Sequence, residues 1–321
     1  MHYDVFNGDA DGIIALLQLR LAEPKASTLI TGVKRDISLL QQVDVSKATS
    51  VTVLDISLEK NIHALQQLLA QQVEVFYVDH HKTGDIPHSQ QLTTLINTDA
   101  NTCTSLLVND YLKGKYVHWA IAAAFGDNMI KAAEALAQKC QLTKQQTAQL
   151  AELGIYINYN GYGRSLDDLH FHPKKLFQQL LAYADPLTLI AQPKSIFTQL
   201  KTAYTEDMAN AQAAEVLFEN QACQVVKLAD EPWARRVSGV YGNELANRNP
   251  NRAHAVLTNN IDGSYTVSVR APLTNKQGAD SICCQFPSGG GRAAAAGVNQ
   301  LAETQVAAFI QTMAQYYAQV N

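Results

Sequence analysis

The strongest constraint on the fold is an alternation of short apolar runs with helical patterns over the first 100 residues. The runs are rich in β-branched residues, and the segments between them carry apolar residues at helical spacing. Buried strands that alternate with helices are typical of a parallel sheet covered on both faces. We therefore predict an α/β fold with a doubly wound parallel sheet, whose strands are expected at 3–6, 28–33, 50–56 and 73–79.

The pattern then becomes largely helical, from about residue 102 to residue 192. One long helix is predicted over 195–221. Several β-rich runs follow this helix. The last two of them are separated by the residues NIDG, which are typical of a hairpin turn. The expected later strands lie at 223–229, 235–242, 253–259 and 265–272.

These changes predict a larger α/β domain over 1–194, a linker helix over 195–220 and a smaller α/β domain over 221–321. A chain of 321 residues is long enough for two such domains. We expect a cleft between the two domains to hold the substrate.

The composition limits the partners and the cellular compartment that we expect for the protein. The net charge of −4 argues against broad non-specific binding to a nucleic-acid duplex. The five cysteines are odd in number and form no C-x-x-C pair, which favours reduced thiols over disulfides or a zinc knuckle. The sequence shows neither a signal-peptide pattern nor an apolar run of the roughly 18–20 residues that span a bilayer. We therefore expect a cytoplasmic protein with no membrane partner.

Acidic and imidazole side chains follow three of the four predicted N-terminal strands. Asp9 and Asp11 come just after the first, Asp55 ends the third, and 79–81, the run Asp-His-His, ends the fourth. The carboxyl ends of parallel strands meet at one edge of a sheet, where ligands bind. Each motif alone is typical of turns and helix caps as well. The joint arrangement favours a functional site.

Several carboxylates in one crevice repel one another, and divalent cations relieve that repulsion. Oxygen ligands with imidazole and without thiolate suit Mn²⁺ or Mg²⁺. A pair of such ions can clamp the attacking and leaving oxygens of a phosphoryl group. The residues thus favour a site for Mn²⁺ or Mg²⁺ ions, which suits phosphoryl chemistry.

The motifs FNGDADG, the strand-end Asp55, YVDHH, FGDN and SGGGRAAAAG occur in this order. In that order they resemble the DHH phosphoesterase superfamily, over essentially the whole chain. That superfamily includes single-strand exonucleases, oligoribonucleases, cyclic-dinucleotide phosphodiesterases and pyrophosphatases. The resemblance implies a DHH domain followed by a DHH-associated domain, and it does not specify a substrate.

The resemblance also implies roles for individual residues. Asp55 would bridge two metal ions, Asp9 would belong to the first ion, and the second ion would be held by Asp11, His80 and Asp127. His81 would contact the scissile phosphate as a donor, and Asp79 would orient a neighbouring imidazole. His81 and Asp79 are therefore the expected catalytic residues.

The opening motif departs from the family at two positions. Val5 stands where many members have His, and Asn7 stands where others have Asp. Asn7 offers only a neutral amide oxygen, and we expect it to face the substrate. The first metal position is consequently expected to be loosely held, filled only with substrate, or empty.

The glycine-rich segment of the second domain resembles the family's phosphate-binding loop, with Arg292 where His is usual. Its backbone N–H groups at Gly289, Gly290 and Gly291 are expected to approach a phosphate, and the alanines after them to begin a helix. Arg270, in SVRAP, matches a basic strand position that grips phosphate in relatives. A surface ion pair is the alternative role for that arginine.

The favoured function is hydrolysis of a phosphodiester in a short single-stranded oligonucleotide or a cyclic dinucleotide. The alternatives are a hydrolase of pyrophosphate, polyphosphate or a phosphomonoester, and a non-catalytic nucleotide-binding regulatory protein. The resemblance makes a homodimer an expectation as well. The tyrosines and histidines of the segment 157–173 are predicted either to stack on bases or, preferably, to pack the segment onto the helices.

Overall fold

The computed structural model of the protein describes residues 1–99 and 101–320. The chain divides into two compact units, with the boundary between Ala203 and Tyr204. The first unit contains a sheet of five strands and the second a sheet of six. The predicted α/β fold is confirmed.

The five strands of the first unit are all parallel and lie in the order β2-β1-β3-β4-β5. Successive side chains of a strand point to opposite faces. In the first strand, Val5 therefore lies in the apolar core with Leu65 of the second helix, while Asp4 contacts Arg20 of the first helix. Helices thus cover both faces of the sheet, whose strands are β1 (His2–Phe6), β2 (Thr28–Ile30), β3 (Ser50–Leu54), β4 (Glu74–Asp79) and β5 (Leu92–Ile96).

Nine helices belong wholly or in part to the first unit of the described chain. The first of them packs on the third, fourth, sixth and seventh, so that a helical layer covers one face of the sheet. The ninth helix crosses the boundary between the units. The nine are α1 (Ala10–Ala22), α2 (Leu58–Ala70), α3 (Thr104–Tyr111), α4 (Val117–Gly126), α5 (Ile130–Lys139), α6 (Lys144–Asn160), α7 (Pro173–Leu180), α8 (Pro186–Ile190) and α9 (Ile196–Ala211).

The second unit is built on a mixed sheet in the order β10-β11-β9-β8-β7-β6. One helix packs on β8 and β9, and two others contribute to the apolar core that includes Ala255, Val267 and Phe309. Its elements are β6 (Glu215–Glu219), β7 (Cys223–Lys227), α10 (Pro232–Arg248), β8 (Ala253–Asn259), β9 (Tyr265–Arg270), α11 (Ala279–Cys283), β10 (Gly289–Arg292), β11 (Ala295–Leu301) and α12 (Val306–Val320).

Three predicted elements of the second half differ from the structure. The segment 235–242, predicted as a strand, lies inside α10, where the buried Ala234, Val237, Tyr241 and Leu245 follow helical spacing. The helix predicted over 195–221 ends at Ala211, because the next residues form β6 and pair with β7.

The glycine-rich segment is not a loop that opens a helix. It forms β10, which pairs with the alanine-rich β11 as a hairpin, and β11 in turn pairs with β9. Gly291 has φ +140°, and a Cβ there would lie 2.4 Å from Cα of Ala296. The small residues therefore allow close approach of two strands, and the final helix begins only at Val306.

None of the described helices combines the length and the apolarity that a membrane crossing requires. All five cysteines are free thiols, and three of them are buried.

Candidate metal centre

The strand ends bring the predicted acidic residues together at one edge of the parallel sheet. The strands β1, β3 and β4 are neighbours, so Asp11, Asp55 and the run 79–81 converge. Asp127 joins them from the end of α4, where it is the C-terminal capping residue. Asp9, Asp11, Asp55 and Asp79 are buried. The predicted convergence of carboxylates and imidazoles is thus present in the structure.

Asp11 is oriented by the N-terminus of α3. Its carboxylate oxygens accept the backbone N–H groups of Thr104 at 2.8 Å and Ser105 at 2.7 Å. The hydroxyl of Ser105 also donates to the backbone carbonyl of Asp11 at 2.8 Å. These contacts place a negative charge at a helix N-terminus, where the helix dipole stabilises it. They hold Asp11 in position within the cluster.

His80 is oriented so that one ring nitrogen faces the carboxylates. Its Nδ1 lies 3.1 Å from the carbonyl oxygen of Thr102, which can only accept, so Nδ1 carries the proton. Its Nε2 lies 3.4 Å from Asp55, 3.8 Å from Asp11 and 3.9 Å from Asp127. An imidazole held by a carbonyl at one nitrogen presents the lone pair of the other to a metal.

Asp55 has a strained backbone and a raised pKa. Its φ of 58° lies in the left-handed region, which is uncommon for a residue other than glycine. Burial, followed by the charges of Asp11 and Asp9, raises the pKa of Asp55 well above its usual range. A carboxylate held in this position repels its neighbours when ionised, and a cation would relieve that repulsion.

His81 and Asp79 form a pair beside the cluster. The Nδ1 atom of His81 lies 2.7 Å from a carboxylate oxygen of Asp79 and 3.9 Å from Asp55. Burial opposes protonation of His81, but the hydrogen bond and charge of Asp79 outweigh it and raise the pKa of the imidazole. Asp79 is fully buried, whereas 47% of the His81 side chain is exposed. The imidazole is therefore accessible to a ligand and oriented by the carboxylate.

Two groups of described side chains have ligand atoms close enough to hold one metal ion. One group is Asp11, His80 and Asp127, and the other is Asp55, His80 and His81. Within the described residues, Oδ2 of Asp127 is buried without a hydrogen-bond partner and is directed at the first group. Oxygen ligands with one imidazole suit Mn²⁺ or Mg²⁺. These residues fit a divalent ion on the His80 side of the cluster.

Asp9 has different partners from the other carboxylates. One of its oxygens accepts the backbone N–H of Gly12 at 3.1 Å and caps α1. The other lies 2.5 Å from the ammonium nitrogen of Lys34. Burial opposes ionisation of Asp9, but the charge and hydrogen bond of Lys34 outweigh it and lower the pKa of the carboxyl. The residues around Asp9 therefore do not fit a second divalent ion.

Val5 and Asn7 are structural residues in this arrangement. Val5 is fully buried in the sheet core. Both polar atoms of the Asn7 side chain form hydrogen bonds within the protein. Nδ2 donates to the carbonyl of Lys34 at 3.1 Å, and Oδ1 accepts from Asp9 N–H at 3.2 Å. Asn7 thereby ties the loop after β1 to the loop after β2, and its contact with substrate stays a prediction.

Comparison with solved structures identifies the fold. No protein-family model and no curated protein matches the sequence. The DHH domain of a member of the S1p family of ribosomal proteins matches with a TM-score of 0.65 and 12% identity, over 98% of this chain and 86% of that one. The chain has the DHH fold.

Two further DHH-type structures are similar over nearly the whole chain. Exonuclease RecJ bound to manganese has a TM-score of 0.61 and 16% identity, covering 99% of this chain and 90% of its own. The pGpG-specific phosphodiesterase PggH from Vibrio cholerae has a TM-score of 0.51 and 12% identity, covering 97% and 99%. At these identities the likeness establishes the fold and leaves the substrate open.

In the second unit of this DHH fold, the strand register places the predicted phosphate-binding residues side by side. Arg292 of β10 is opposite Ala295 of β11, which is opposite Arg270 of β9. Side chains directly opposite in antiparallel strands lie on the same face, and two strand spacings put the Cα atoms of the two arginines about 10 Å apart. Arg270 donates to Asn243 of α10 at 2.6 Å, and Arg292 is exposed.

The segment 157–173 packs onto the C-terminal end of α6, where it begins. Tyr159 is fully buried and its hydroxyl lies 2.8 Å from Nε2 of His170. The Asn160 side chain bonds the backbone of Phe171 at both ends. The favoured prediction of packing agrees with these contacts.

Sequence reasoning missed Lys34 and Asn158, whose side chains meet at 3.0 Å beside Asp9. Neither belongs to a motif. The only available signal for Lys34 was its place just after β2, at the same edge of the sheet as Asp9.

Proposed function

We propose that the chain is a Mn²⁺- or Mg²⁺-dependent hydrolase of phosphodiester bonds in a small nucleotide, such as a short single-stranded oligonucleotide or a cyclic dinucleotide. The observation that carries this proposal is the convergence of Asp11, Asp55 and Asp127 on Nε2 of His80, within 3.4 to 3.9 Å. When bound there, a divalent ion supplies charge neutralisation and lowers the pKa of a coordinated water.

The residues themselves have separable tasks. Thr102 and the start of α3 orient His80 and Asp11, which reduces the rearrangement needed to bind an ion. His81 is held by Asp79 and half exposed, which supports a role as donor of a proton or hydrogen bond to a phosphate oxygen. Arg292 is exposed and offers a guanidinium that suits a second phosphate, while Arg270, two strands away, adds positive charge although its own donors bond Asn243, Ser268 and Gly239.

A hydrolase of pyrophosphate, polyphosphate or a phosphomonoester would need the same ion and the same carboxylates. The two arginines favour a substrate with more than one phosphate and separate these classes only weakly. The pair of Asp9 and Lys34 favours the second alternative, a nucleotide-binding protein without turnover, because it removes one carboxylate from the ligand set. A cytoplasmic location and a homodimer stay predictions.

The test is hydrolysis by the purified protein with Mn²⁺. The substrates are 5′-phosphorylated dinucleotides, longer single strands, cyclic dinucleotides, pyrophosphate and a phosphomonoester. We expect turnover of dinucleotide or cyclic-dinucleotide substrates, loss of it in His80→Ala and Asp11→Asn, and normal rates in His63→Ala, which alters an exposed histidine of α2. Binding of nucleotide without turnover of any substrate would support the regulatory alternative instead.

A further inference from the structure

The ammonium group of Lys34 lies among oxygens from three separate segments of the first unit. Its nitrogen is 2.5 Å from Asp9, 3.0 Å from Oδ1 of Asn158 and 3.6 Å from Oδ1 of Asp127. The ring of Tyr162 lies 5.5 Å away, close enough for a cation–π contact. An ammonium has three N–H donors and no acceptor, so this arrangement of oxygens serves a cation.

Lys34 is also held at its backbone. Its N–H donates to the carbonyl of Gly161 at 2.8 Å, and its own carbonyl accepts from Asn7. The loops after β1 and β2 meet so closely that a Cβ on Gly8 would lie 1.8 Å from the carbonyl oxygen of Gly32. The ammonium therefore cannot leave Asp9 by a movement of the loop backbone without breaking these contacts.

The positions of the carboxylates divide the cluster into two sides. Asp127 lies between them, with Oδ1 toward Lys34 and Oδ2 toward His80. Among the described residues, both groups that could hold a metal contain His80, and Asp9 belongs to neither. The oxygens of Asp9 are occupied by Gly12 N–H and by Lys34. The Lys34 side of the cluster thus contains a cation from the protein itself, and the His80 side has the ligands for a divalent cation.

We propose that the ammonium group of Lys34 is a built-in cation of this site. Because of it, the protein binds one divalent ion, on the His80 side of the cluster. Without Lys34, the charge of the cluster would admit two ions. The inference rests on the proposed function, since it concerns how many ions the proposed hydrolase uses. Lys34 acts as a positioning residue: it neutralises Asp9 and repels a second cation from the neighbouring position.

The test is a count of Mn²⁺ per chain in metal-stripped protein, by equilibrium dialysis and by electron paramagnetic resonance, which detects coupling between two close Mn²⁺ ions. We expect the wild-type protein to bind one uncoupled Mn²⁺. In Lys34→Ala we expect a second ion at millimolar Mn²⁺, with the coupled spectrum. Lys60→Ala, on the exposed face of α2, should bind one ion as wild type does.

Circular dichroism shows whether Lys34→Ala folds. If it does not, Lys34→Gln replaces it, because glutamine keeps a hydrogen-bonding side chain and removes the charge. Two coupled ions in the wild-type protein would overturn the inference and leave the proposed hydrolase intact. One ion in both the wild type and the folded Lys34 variants would overturn it as well, because Lys34 would then not determine the number. A wild-type protein that binds no Mn²⁺ would overturn the proposed function together with the inference.

Discussion

Gly126 and Gly154 bring the backbones of α4 and α6 into direct contact. A Cβ on Gly154 would lie 1.8 Å from the carbonyl oxygen of Ala122 and 2.9 Å from the backbone nitrogen of Gly126. A Cβ on Gly126 would lie 2.6 Å from the Cβ of Ala10. Asp127 follows Gly126 directly, so this three-helix contact sets the position of a predicted metal ligand.

We expect Gly154→Ala to lower the free energy of unfolding by about 1–3 kcal/mol, because the added methyl group forces α4 and α6 apart. The same shift displaces Asp127 and weakens Mn²⁺ binding. Urea unfolding and a Mn²⁺ titration measure the two effects. Gly242→Ala, in α10, is the control, since its Cβ would meet its nearest neighbours at an ordinary 3.7 Å. Equal stability of the two variants would contradict the prediction.

Asp55→Asn should stabilise the metal-free protein while it impairs metal binding. Burial and neighbouring carboxylates raise the pKa of Asp55, so its ionised form opposes folding at pH 7, and asparagine removes that charge. Asparagine also tolerates the left-handed backbone at this position. We expect a gain of about 1–3 kcal/mol in unfolding free energy, measured without metal. Asp85→Asn, an exposed substitution, should change neither property.

Asp4 gives the protein a pH-dependent stability at low pH. Burial opposes its ionisation, but hydrogen bonds from Arg20 at 2.5 and 2.9 Å, and from His2, lower the pKa of Asp4 to about 2. A lowered carboxyl pKa stabilises the folded state above the unfolded value near 3.8, and this stabilisation is lost as the pH falls toward 2. It amounts to about 2 kcal/mol.

We expect Asp4→Asn to be less stable than wild type at pH 6 and the difference to shrink by pH 2.5, as followed by urea unfolding. Arg20→Met leaves the buried Asp4 carboxylate without its guanidinium partner, with only His2 and Ser27 to bond it, and should cost about 3–5 kcal/mol at pH 6. A constant difference between wild type and Asp4→Asn across this range would rule out the assigned role of Asp4.

Arg292→Ala should weaken substrate binding without slowing the chemical step. The side chain is exposed and lies in one row with Arg270, so its removal takes away a charged donor and disturbs little of the core. We expect KM to rise about tenfold, the effect of one charged hydrogen bond, and kcat to change little. Steady-state hydrolysis measures both. Arg248→Ala, which removes the partner of Glu244 on α10, is the control. A fall in kcat at constant KM would place Arg292 in the reaction step.

The convergence of the acidic and imidazole side chains could be predicted from the sequence because their positions depend on local order, while their role as metal ligands stays a prediction. Asp11, Asp55 and the run 79–81 each follow a buried strand, and parallel strands necessarily bring such residues to one edge. Lys34 could not be predicted in the same way. Its role depends on Asn158 and Gly161, which are more than 120 residues away in the chain and contact it because the end of α6 packs against the loop after β2.

The errors in the second half have a similar cause. The valines and tyrosine of 235–242 have high strand propensity, but burial at helical spacing under β8 and β9 determines the structure. The alanines of β11 have high helix propensity, yet strands on both sides pair with them. In both segments tertiary contacts override local preference.

The contact between Asp11 and the start of α3 affects how the protein responds when metal ions are scarce. Two backbone N–H groups hold this carboxylate, so its position depends on the protein itself and not on a bound ion. For the proposed metal-dependent hydrolase, chelation should therefore abolish activity without unfolding the protein, and resupply of metal should restore it. The surrounding concentration of the ion would then set how much of the protein is working at any moment.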